Sequence, residues 1–316
     1  MNATRAERND VNGVLLLDKP LGLTSQQAVA RVKRLFSARK AGHTGTLDPM
    51  ADGLLPIGLG EATKYSQFLL EADKGYLASL RLGATTTTGD AEGEILEQRP
   101  VKVTETEVRG VLQRFVGAQT QTPPMHSALK VAGKPLYAYA RAGITIERQS
   151  RAIVINEIQL IDFKEIILKI RVLCSKGTYI RVLAEDIGAA LGCGAHLIAL
   201  TRESAGGFTL AQAVSCDTLE TLLMAERMDR LLPIDAFASS LDRIELESEQ
   251  ARRIITGQEV VQPAVLTGLY RLYGVQEGFL GVGEVEAGTL RARRLTSQLQ
   301  VKDQTEIYLS NPAVTG

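Results

Sequence analysis

Residues 166–191, IILKIRVLCSKGTYIRVLAEDIGAAL, combine the clearest strand pattern in the chain with a helix pattern directly after it. Apolar side chains at every second position predict a half-buried strand, and they are Ile166, Leu168, Ile170, Val172 and Cys174. Gly177 ends the strand, and we expect Thr178 to cap the following helix. The buried stripe of that helix is predicted from its spacing as Ile180, Leu183, Ala184, Ile187 and Leu191.

Arg181 stands out in this pattern, because it lies in the first turn of the predicted helix. A positive charge there opposes the helix dipole, so a buried carboxylate partner would explain its presence. Such pairing would keep the acid ionised and fixed in position, as a nucleophile or general base requires. Spacing alone does not identify the partner.

A candidate acid lies in GHTGTLDP, residues 42–49, which lacks periodicity and is predicted to be a loop. Asp48 precedes Pro49, and proline biases the preceding residue towards an extended conformation. Asp-Pro is also common in ordinary turns, so the local sequence leaves a structural and a chemical role open. The local sequence also does not decide between a structural and a chemical role for Tyr76 and Tyr179, since most tyrosines at such positions are half-buried packing residues.

The remaining segments show strand, helix and turn patterns in alternation. We expect strands at 14–17 and 76–83, a helix capped by Thr24 or Ser25, a Thr-rich turn at 85–89, and a helix from Thr104 to about Phe115. Residues 51–60 contain three glycines and Pro56, which favours a continued loop or a short strand.

Residues 119–151 form a long segment rich in Gln, Pro, Gly and basic residues. Loops longer than about 15 residues in compact domains are usually functional or disordered. Tyr137 and Tyr139 lie among its cations, and this combination suits phosphate contacts and base stacking. The cations are Lys130, Lys134, Arg141, Arg148 and Arg151.

The sequence changes character at Leu246. A helix pattern at 248–256 leads to Gly257, and short runs separated by glycines follow at 265–275, 279–285 and 289–295. The chain of 316 residues is about twice the usual length of one domain. We therefore predict a larger domain at residues 1–245 and a small β-rich domain at 246–316.

The charge of the chain is balanced in total but not along its length. Its 36 Lys and Arg residues offset 36 Asp and Glu residues. Residues 1–43 hold eight cations and three acids, residues 125–181 ten and four, and residues 217–259 five and ten. Because nucleic-acid binding depends on where charge lies, the neutral total does not exclude it. Ordinary solvated surface is the alternative explanation.

Several classes of function lack their sequence signals. Three scattered cysteines and three scattered histidines predict neither a disulfide framework nor a metal site, which fits a reducing, cytoplasmic setting. The chain has no phosphate-binding loop, dinucleotide fingerprint or serine nucleophile elbow. Residues 187–201, which carry no acidic side chain, Lys or Arg, fall short of the roughly 20 residues of a membrane span. We also expect no signal peptide.

Seven blocks of sequence, in order over nearly the whole chain, resemble the bacterial TruB family of tRNA pseudouridine-55 synthases. The blocks are GVLLLDKP with Gly22 and Thr24-Ser25, GHTGTLDP with GLLP, GEATK, SALK, LYAYAR, CSKGTYIR and GCGAHL. The resemblance implies an α+β fold with a mixed, largely antiparallel central sheet flanked by helices. It also implies that residues 246–316 are a PUA-like, RNA-binding domain.

The resemblance implies roles for the residues of a catalytic pocket. Asp48 is expected to be the catalytic aspartate and Arg181 its partner. Tyr76 is expected to stack on the flipped base, while Tyr179 and Leu200 line the pocket. These roles come from matching positions in the motifs.

RNA contacts are implied outside the pocket as well. His43 is expected to occupy the space that the extruded nucleotides vacate in the RNA loop. Lys19, Lys130 and Arg141 are expected to bind the substrate, the last two within an RNA-gripping insertion at 124–151. Thr201 stands where many members of the family have arginine, a difference that removes one phosphate contact.

The implied reaction breaks an N-glycosidic bond, rotates the uracil and joins its C5 to C1′. It requires no metal or organic cofactor, and its implied partner is the T-arm stem-loop of tRNA. Flipping the base costs roughly a few kcal/mol, and an aromatic platform offsets about 1–3 kcal/mol of that cost. Asp48 would either add covalently or deprotonate C2′, and the sequence leaves both routes open.

Two other functions fit the sequence. One is a pseudouridine synthase that modifies another RNA site, and the other is a non-catalytic protein that binds or folds tRNA. We expect a monomer with no obligate protein partner and no membrane association.

Overall fold

The computed structural model describes residues 10–297, and eight α-helices lie in that part of the chain. They are α1 (Ser25–Leu35), α2 (Ser66–Leu70), α3 (Glu105–Gln113), α4 (Leu136–Ala140), α5 (Ile180–Ala190), α6 (Cys216–Thr221), α7 (Met224–Met228) and α8 (Ser248–Ile255). Three short 3₁₀ turns occupy Gly60–Tyr65, Leu210–Gln212 and Ile234–Ala238.

Strands β1–β14 belong to the larger, N-terminal part. They are β1 (Gly13–Lys19), β2 (Ala41–His43), β3 (Ala51–Leu59), β4 (Lys74–Leu82), β5 (Ala84–Thr86), β6 (Ile95–Gln98), β7 (Gly117–Gln121), β8 (Lys130–Val131), β9 (Lys134–Pro135), β10 (Arg151–Lys164), β11 (Ile167–Cys174), β12 (Ala195–Ala205), β13 (Phe208–Thr209) and β14 (Val214–Ser215). The remaining strands are β15 (Arg243–Leu246), β16 (Val260–Val261), β17 (Gly268–Gly274), β18 (Gly278–Glu286) and β19 (Thr289–Leu295).

The central sheet has the strand order β14-β1-β3-β12-β4-β11-β10-β7, with β2 beside β3 and β13 beside β12. Two of its pairings are parallel, β1 with β14 and β3 with β12, and the others are antiparallel. The predicted α+β fold with a mixed, largely antiparallel sheet is therefore confirmed.

Strand β1 is buried on both faces, which explains its unbroken apolar run. Leu15 and Leu17 pack into the main core together with Val29 and Val32 of α1. Val14 and Leu16 point to the other face, into a second apolar cluster. Strands that are covered on both sides lose the usual alternation of apolar and polar residues.

The expectation of a loop or a short strand at residues 51–60 is wrong, because this segment is the nine-residue strand β3. Its glycines allow close packing. A Cβ on Gly53 would lie 2.5 Å from the carbonyl oxygen of Arg202 on β12, and one on Gly58 would lie 2.8 Å from the ring of Phe237. The glycines therefore let neighbouring groups approach the strand, although the same residues usually signal a turn.

The strand and helix predicted from residues 166–191 form β11 and α5. Leu168, Ile170, Val172 and Cys174 are buried, as is the predicted helix stripe apart from Leu191, which is half-buried. The predicted cap is wrong, since the residue before the first helical turn is Tyr179. Thr178 instead donates its hydroxyl to the carbonyl of Ser175, 2.9 Å away.

The C-terminal sheet has the strand order β15-β17-β18-β19-β16 and packs one face against α8. It starts at Arg243, three residues before the domain boundary expected from the sequence, and the part of that expected domain after residue 297 lies outside the described residues. Val282 of β18 belongs to the same apolar cluster as Val14 of β1, and the ring of Phe279 packs edge-on against Tyr65.

Three cysteines, Cys174, Cys193 and Cys216, are buried as free thiols. Between residues 10 and 297, no helix has both the length and the apolar character to cross a membrane.

Two helical glycines give opposite expectations for substitution by alanine. Gly110 in α3 has open space around it, so Gly110→Ala should raise the free energy of unfolding by about 1 kcal/mol. At Gly188 of α5, an added Cβ would lie 2.1 Å from the backbone nitrogen of Ala195. Gly188→Ala should therefore lower the free energy of unfolding by more than about 2 kcal/mol. Denaturant unfolding of both variants measures the difference, and similar effects at the two positions would contradict this packing.

Candidate active site

A cavity of about 260 Å³ opens where the loop before β3 meets β4, β12, the start of α5 and the segment before β8. Its wall is formed by Gly45, Thr46, Leu47, Asp48, Leu70, Lys74, Tyr76, Ser127, Ala128, Gly177, Thr178, Tyr179, Ile180, Arg181, Leu200 and Arg202. Five residues expected at the pocket, Asp48, Tyr76, Tyr179, Arg181 and Leu200, therefore lie in one wall.

The backbone on both sides of Asp48 is fixed by hydrogen bonds to α1 and the turn before it. The Ser25 hydroxyl donates to the carbonyl of Leu47 at 2.9 Å and accepts from the Leu47 nitrogen at 2.7 Å. The Gly22 nitrogen donates to the carbonyl of Pro49 at 2.8 Å. The loop is therefore held in place before any side chain reaches the cavity.

Arg181 is buried beneath the cavity and binds groups from several segments. Its Nη2 lies 3.0 Å from Oδ2 of Asp48 and donates to the carbonyl of His126 at 2.7 Å. Its Nη1 donates to the carbonyl of Thr88 at 3.1 Å, and its Nε lies 3.6 Å from Oδ2 of Asp90. The buried carboxylate partner that the sequence position of Arg181 called for is thus present in Asp90, and Asp48 is a second, more exposed partner.

The two acids differ in access to solvent. The side chain of Asp48 is 38% exposed, whereas those of Arg181 and Asp90 are 6% and 5% exposed. Asp90 also accepts hydrogen bonds from the hydroxyl of Thr88 at 2.5 Å and the nitrogen of Glu92 at 3.1 Å. Asp48 is therefore the carboxylate of this cluster that a ligand can reach.

The residue before α5 is held by a side chain from a distant strand. Gln121, at the end of β7, accepts from the backbone nitrogen of Tyr179 at 2.7 Å and donates to its carbonyl at 3.1 Å. The side-chain amide thus fixes the backbone two residues before Arg181. The sequence does not indicate this contact, because Gln121 and Tyr179 lie 58 residues apart.

Tyr76 and Leu200 supply aromatic and apolar surface to the cavity. Tyr76 lies on β4 between β11 and β12, and Leu200 pairs with Ala51 and Ala78. Burial raises the pKa of the Tyr76 phenol, and the nearby Arg202 guanidinium opposes that shift. The phenol therefore stays protonated near neutral pH.

Arg202 is a second buried arginine in the wall. Its Nε donates to the carbonyl of Leu54 at 2.7 Å and its Nη2 to that of Gly45 at 3.2 Å. It therefore ties β12 to the loop that carries Asp48. Its role could not be predicted from the sequence, because Leu54 and Gly45 are about 150 residues away along the chain.

Lys74 is a buried cation in the same wall. Its Nζ donates to the carbonyls of Ala72 at 2.5 Å, Leu70 at 2.7 Å and Leu69 at 3.4 Å. Burial, together with the positive charge of Arg202, lowers the pKa of Lys74 to about 8.

Two expected RNA contacts lie elsewhere. Lys19 is fully buried, and its Nζ donates to the carbonyls of Pro20 at 2.9 Å and Leu23 at 2.7 Å. The structure does not support the expectation that Lys19 contacts the substrate, because its side chain is enclosed and two of its three N–H donors bind backbone carbonyls. His43 lies on β2, half-buried and outside the cavity wall, and burial beside Arg202 lowers its pKa.

The insertion at 124–151 is more ordered than its sequence suggests, with the β8–β9 hairpin followed by α4. Lys130 and Arg141 are exposed on it. The guanidinium of Arg141 lies 5.4 Å from the ring centre of Tyr137, and Lys134 Nζ lies 4.8 Å from that of Tyr139. The insertion thus carries two pairs of a cation and an aromatic ring.

Residues able to bind a metal are not clustered at the site. Within residues 10–297, no group of three or more His, Cys, Asp or Glu side chains is arranged to hold a metal ion.

Three family models match consecutive parts of the chain. Residues 33–180 match "TruB family pseudouridylate synthase (N terminal domain)", residues 181–251 match "tRNA pseudouridylate synthase B C-terminal domain", and residues 243–296 match "Pseudouridine synthase II TruB, C-terminal". A chain of a solved Cbf5–Nop10–Gar1 complex shares the fold with a TM-score of 0.67 and 27% identity, over 92% of this chain and 80% of that one. Fold and site together define a pseudouridine synthase.

Proteins similar in sequence to this chain belong to one family of pseudouridine synthases. The chain is 52% identical over 300 residues to tRNA pseudouridine synthase B of Methylobacillus flagellatus, covering 94% of this chain and 99% of the relative. It is 53% identical over 288 residues to the protein of that name from Azoarcus sp., covering 91% and 96%. The chain belongs to the TruB family, as its motifs indicate.

The lowered pKa of Lys74 predicts a specific pH dependence of stability. Between about pH 8 and 10.5 the unfolded chain keeps the Lys74 proton and the folded protein loses it. The free energy of unfolding of the wild type should therefore rise with pH relative to that of Lys74→Met across this window. Denaturant unfolding at several pH values tests this, with exposed Lys102→Met as a control. A difference that does not vary with pH would contradict the shift.

Proposed function

We propose that this protein isomerises the T-loop uridine at position 55 of tRNA to pseudouridine, with Asp48 as the catalytic carboxylate. The observation that carries the proposal is the Asp48–Arg181 pair, in which the cation is buried and the carboxylate is open to the cavity. Relatives above 50% identity are named tRNA pseudouridine synthase B, which supports tRNA as the substrate.

The target base has to leave its stack to reach such a cavity. A flipped uracil would lie against the ring of Tyr76, and stacking of this kind returns about 1–3 kcal/mol per base. Leu200 and Tyr179 would hold the base after the glycosidic bond breaks. Their surfaces also keep water away from the reactive sugar carbon.

Arg181 prepares the carboxylate for the reaction. Its guanidinium is fixed by two backbone carbonyls and by Asp90, so one oxygen of Asp48 is held at a defined position. An ionised, oriented carboxylate is the requirement shared by both routes, covalent addition and removal of the C2′ proton.

The RNA around the target would be held by exposed groups outside the cavity. Lys130 and Arg141 are exposed on the insertion, where cations suit contacts with phosphates. His43 lies near the Asp48 loop, since its Nδ1 accepts from the nitrogen of Gly45 at 3.3 Å. We propose that it fills the gap left in the RNA loop.

Asp48→Asn tests the catalytic role directly. This substitution keeps the size of the side chain and removes its charge, so we expect tRNA binding within a fewfold of wild type and no product. Formation of the C5–C1′ bond displaces the hydrogen at C5, and tritium release from 5-labelled uridine in a T-arm stem-loop measures it. Exposed Asp229→Asn should be fully active.

The same assay separates the alternative functions. A wild-type protein that binds the stem-loop without releasing tritium would be a binding or folding protein. Release that persists when position 55 carries another base would indicate a different target site. Activity retained by Asp48→Asn would refute the role of this residue.

Arg181→Met and Arg141→Met should show opposite patterns. Loss of Arg181 frees the carboxylate of Asp48 from its position, so we expect turnover to fall about a hundredfold with binding nearly unchanged. Loss of exposed Arg141 should weaken binding and leave turnover at saturating RNA unchanged. Single-turnover rates and filter binding measure both quantities, and an equal loss of both in Arg181→Met would make Arg181 an RNA contact.

A further inference from the structure

The hydroxyl of Ser127 is buried in the cavity wall without a hydrogen-bond partner. Ser127 is 4% exposed, and its Oγ has neither donor nor acceptor among the described residues. Two other buried side-chain atoms in that part of the chain share this condition, on Asp52 and Glu277, and neither residue lines the cavity. An unpaired buried hydroxyl is costly, and in a native protein it calls for a missing partner.

The position of this hydroxyl is fixed by contacts of the backbone around it. The carbonyl of Ser127 accepts from the nitrogen of Tyr137 at 3.0 Å. The carbonyl of the preceding residue, His126, accepts from Arg181 Nη2, the same nitrogen that binds Asp48. Ser127 therefore directly follows the residue whose carbonyl binds Arg181, and it lines the same cavity as Asp48.

We propose that Ser127 Oγ hydrogen-bonds the target uridine and positions it over Asp48; this inference rests on the proposed function above. A hydroxyl both donates and accepts, so it pairs with a uracil carbonyl oxygen or with the ribose 2′-hydroxyl. These groups enter the cavity only with an extruded nucleotide. No side chain or backbone group of the described residues takes up this hydroxyl, so it is left for the nucleotide that binds.

The test is Ser127→Ala, assayed by single-turnover tritium release and by thermal unfolding. We expect the rate to fall at least tenfold, while the melting temperature stays equal or rises because an unpaired buried hydroxyl has been removed. A residue with a merely structural role would lose stability instead. Ser150→Ala is the matched control, since Ser150 lies on the same insertion and is exposed, with its hydroxyl 2.7 Å from that of Thr122. Its rate should be unchanged.

Substrate analogues identify the paired atom. Stem-loops carrying 2′-deoxyuridine, 2-thiouridine or 4-thiouridine at the target position each weaken one possible partner. The loss of affinity caused by Ser127→Ala should shrink on the analogue that lacks the paired group. An equal loss on all three would contradict a contact with the target nucleotide.

The outcomes distinguish this inference from the function on which it rests. A wild-type protein inactive on the unmodified stem-loop would overturn the proposed function and this contact with it. An active wild type with an unimpaired Ser127→Ala variant would overturn the contact alone. The same holds if Ser127→Ala loses activity only in proportion to a lower melting temperature.

Discussion

One buried guanidinium connects the parts of the chain that form the site. Arg181 binds the Asp48 loop, the Thr88–Asp90 turn and the carbonyl of His126, three segments far apart in the sequence. A buried charge is tolerated only when its partners are well placed, so each segment has to reach its position for the others to be stable. The requirement that stabilises this cation therefore also assembles the cavity.

The two acids that bind this cation differ in their surroundings. Asp90 is enclosed and is held by Thr88 and Glu92, so it balances charge inside the protein. Asp48 shares the same cation but opens to the cavity. A single arginine facing one exposed acid would be free to follow that acid or an incoming phosphate. The second, buried acid keeps Arg181 in place.

Local periodicity was enough to predict β11, the apolar stripe of α5 and the need of Arg181 for a buried acid. It failed for residues 51–60, because the meaning of a glycine depends on what lies opposite, and the strand beside Gly53 is far away in the sequence. The ion pair of Asp90 with Arg181 and the unpaired hydroxyl of Ser127 could not be predicted from the sequence either. Each depends on groups that come from distant parts of the chain. The motif resemblance brought the pocket residues together but also suggested Lys19, whose burial only the structure reveals.

The packing of β1 on both faces has a consequence for the C-terminal sheet. Val14 and Leu16 share their apolar cluster with Val282, and Lys64 reaches the carbonyl of Leu295 at 3.3 Å. The smaller sheet thus packs, through Val282, against the face of β1 that points away from the main core. Part of the apolar surface of β1 is therefore buried by residues more than 260 positions later in the chain, so losing the smaller sheet would expose that surface to water.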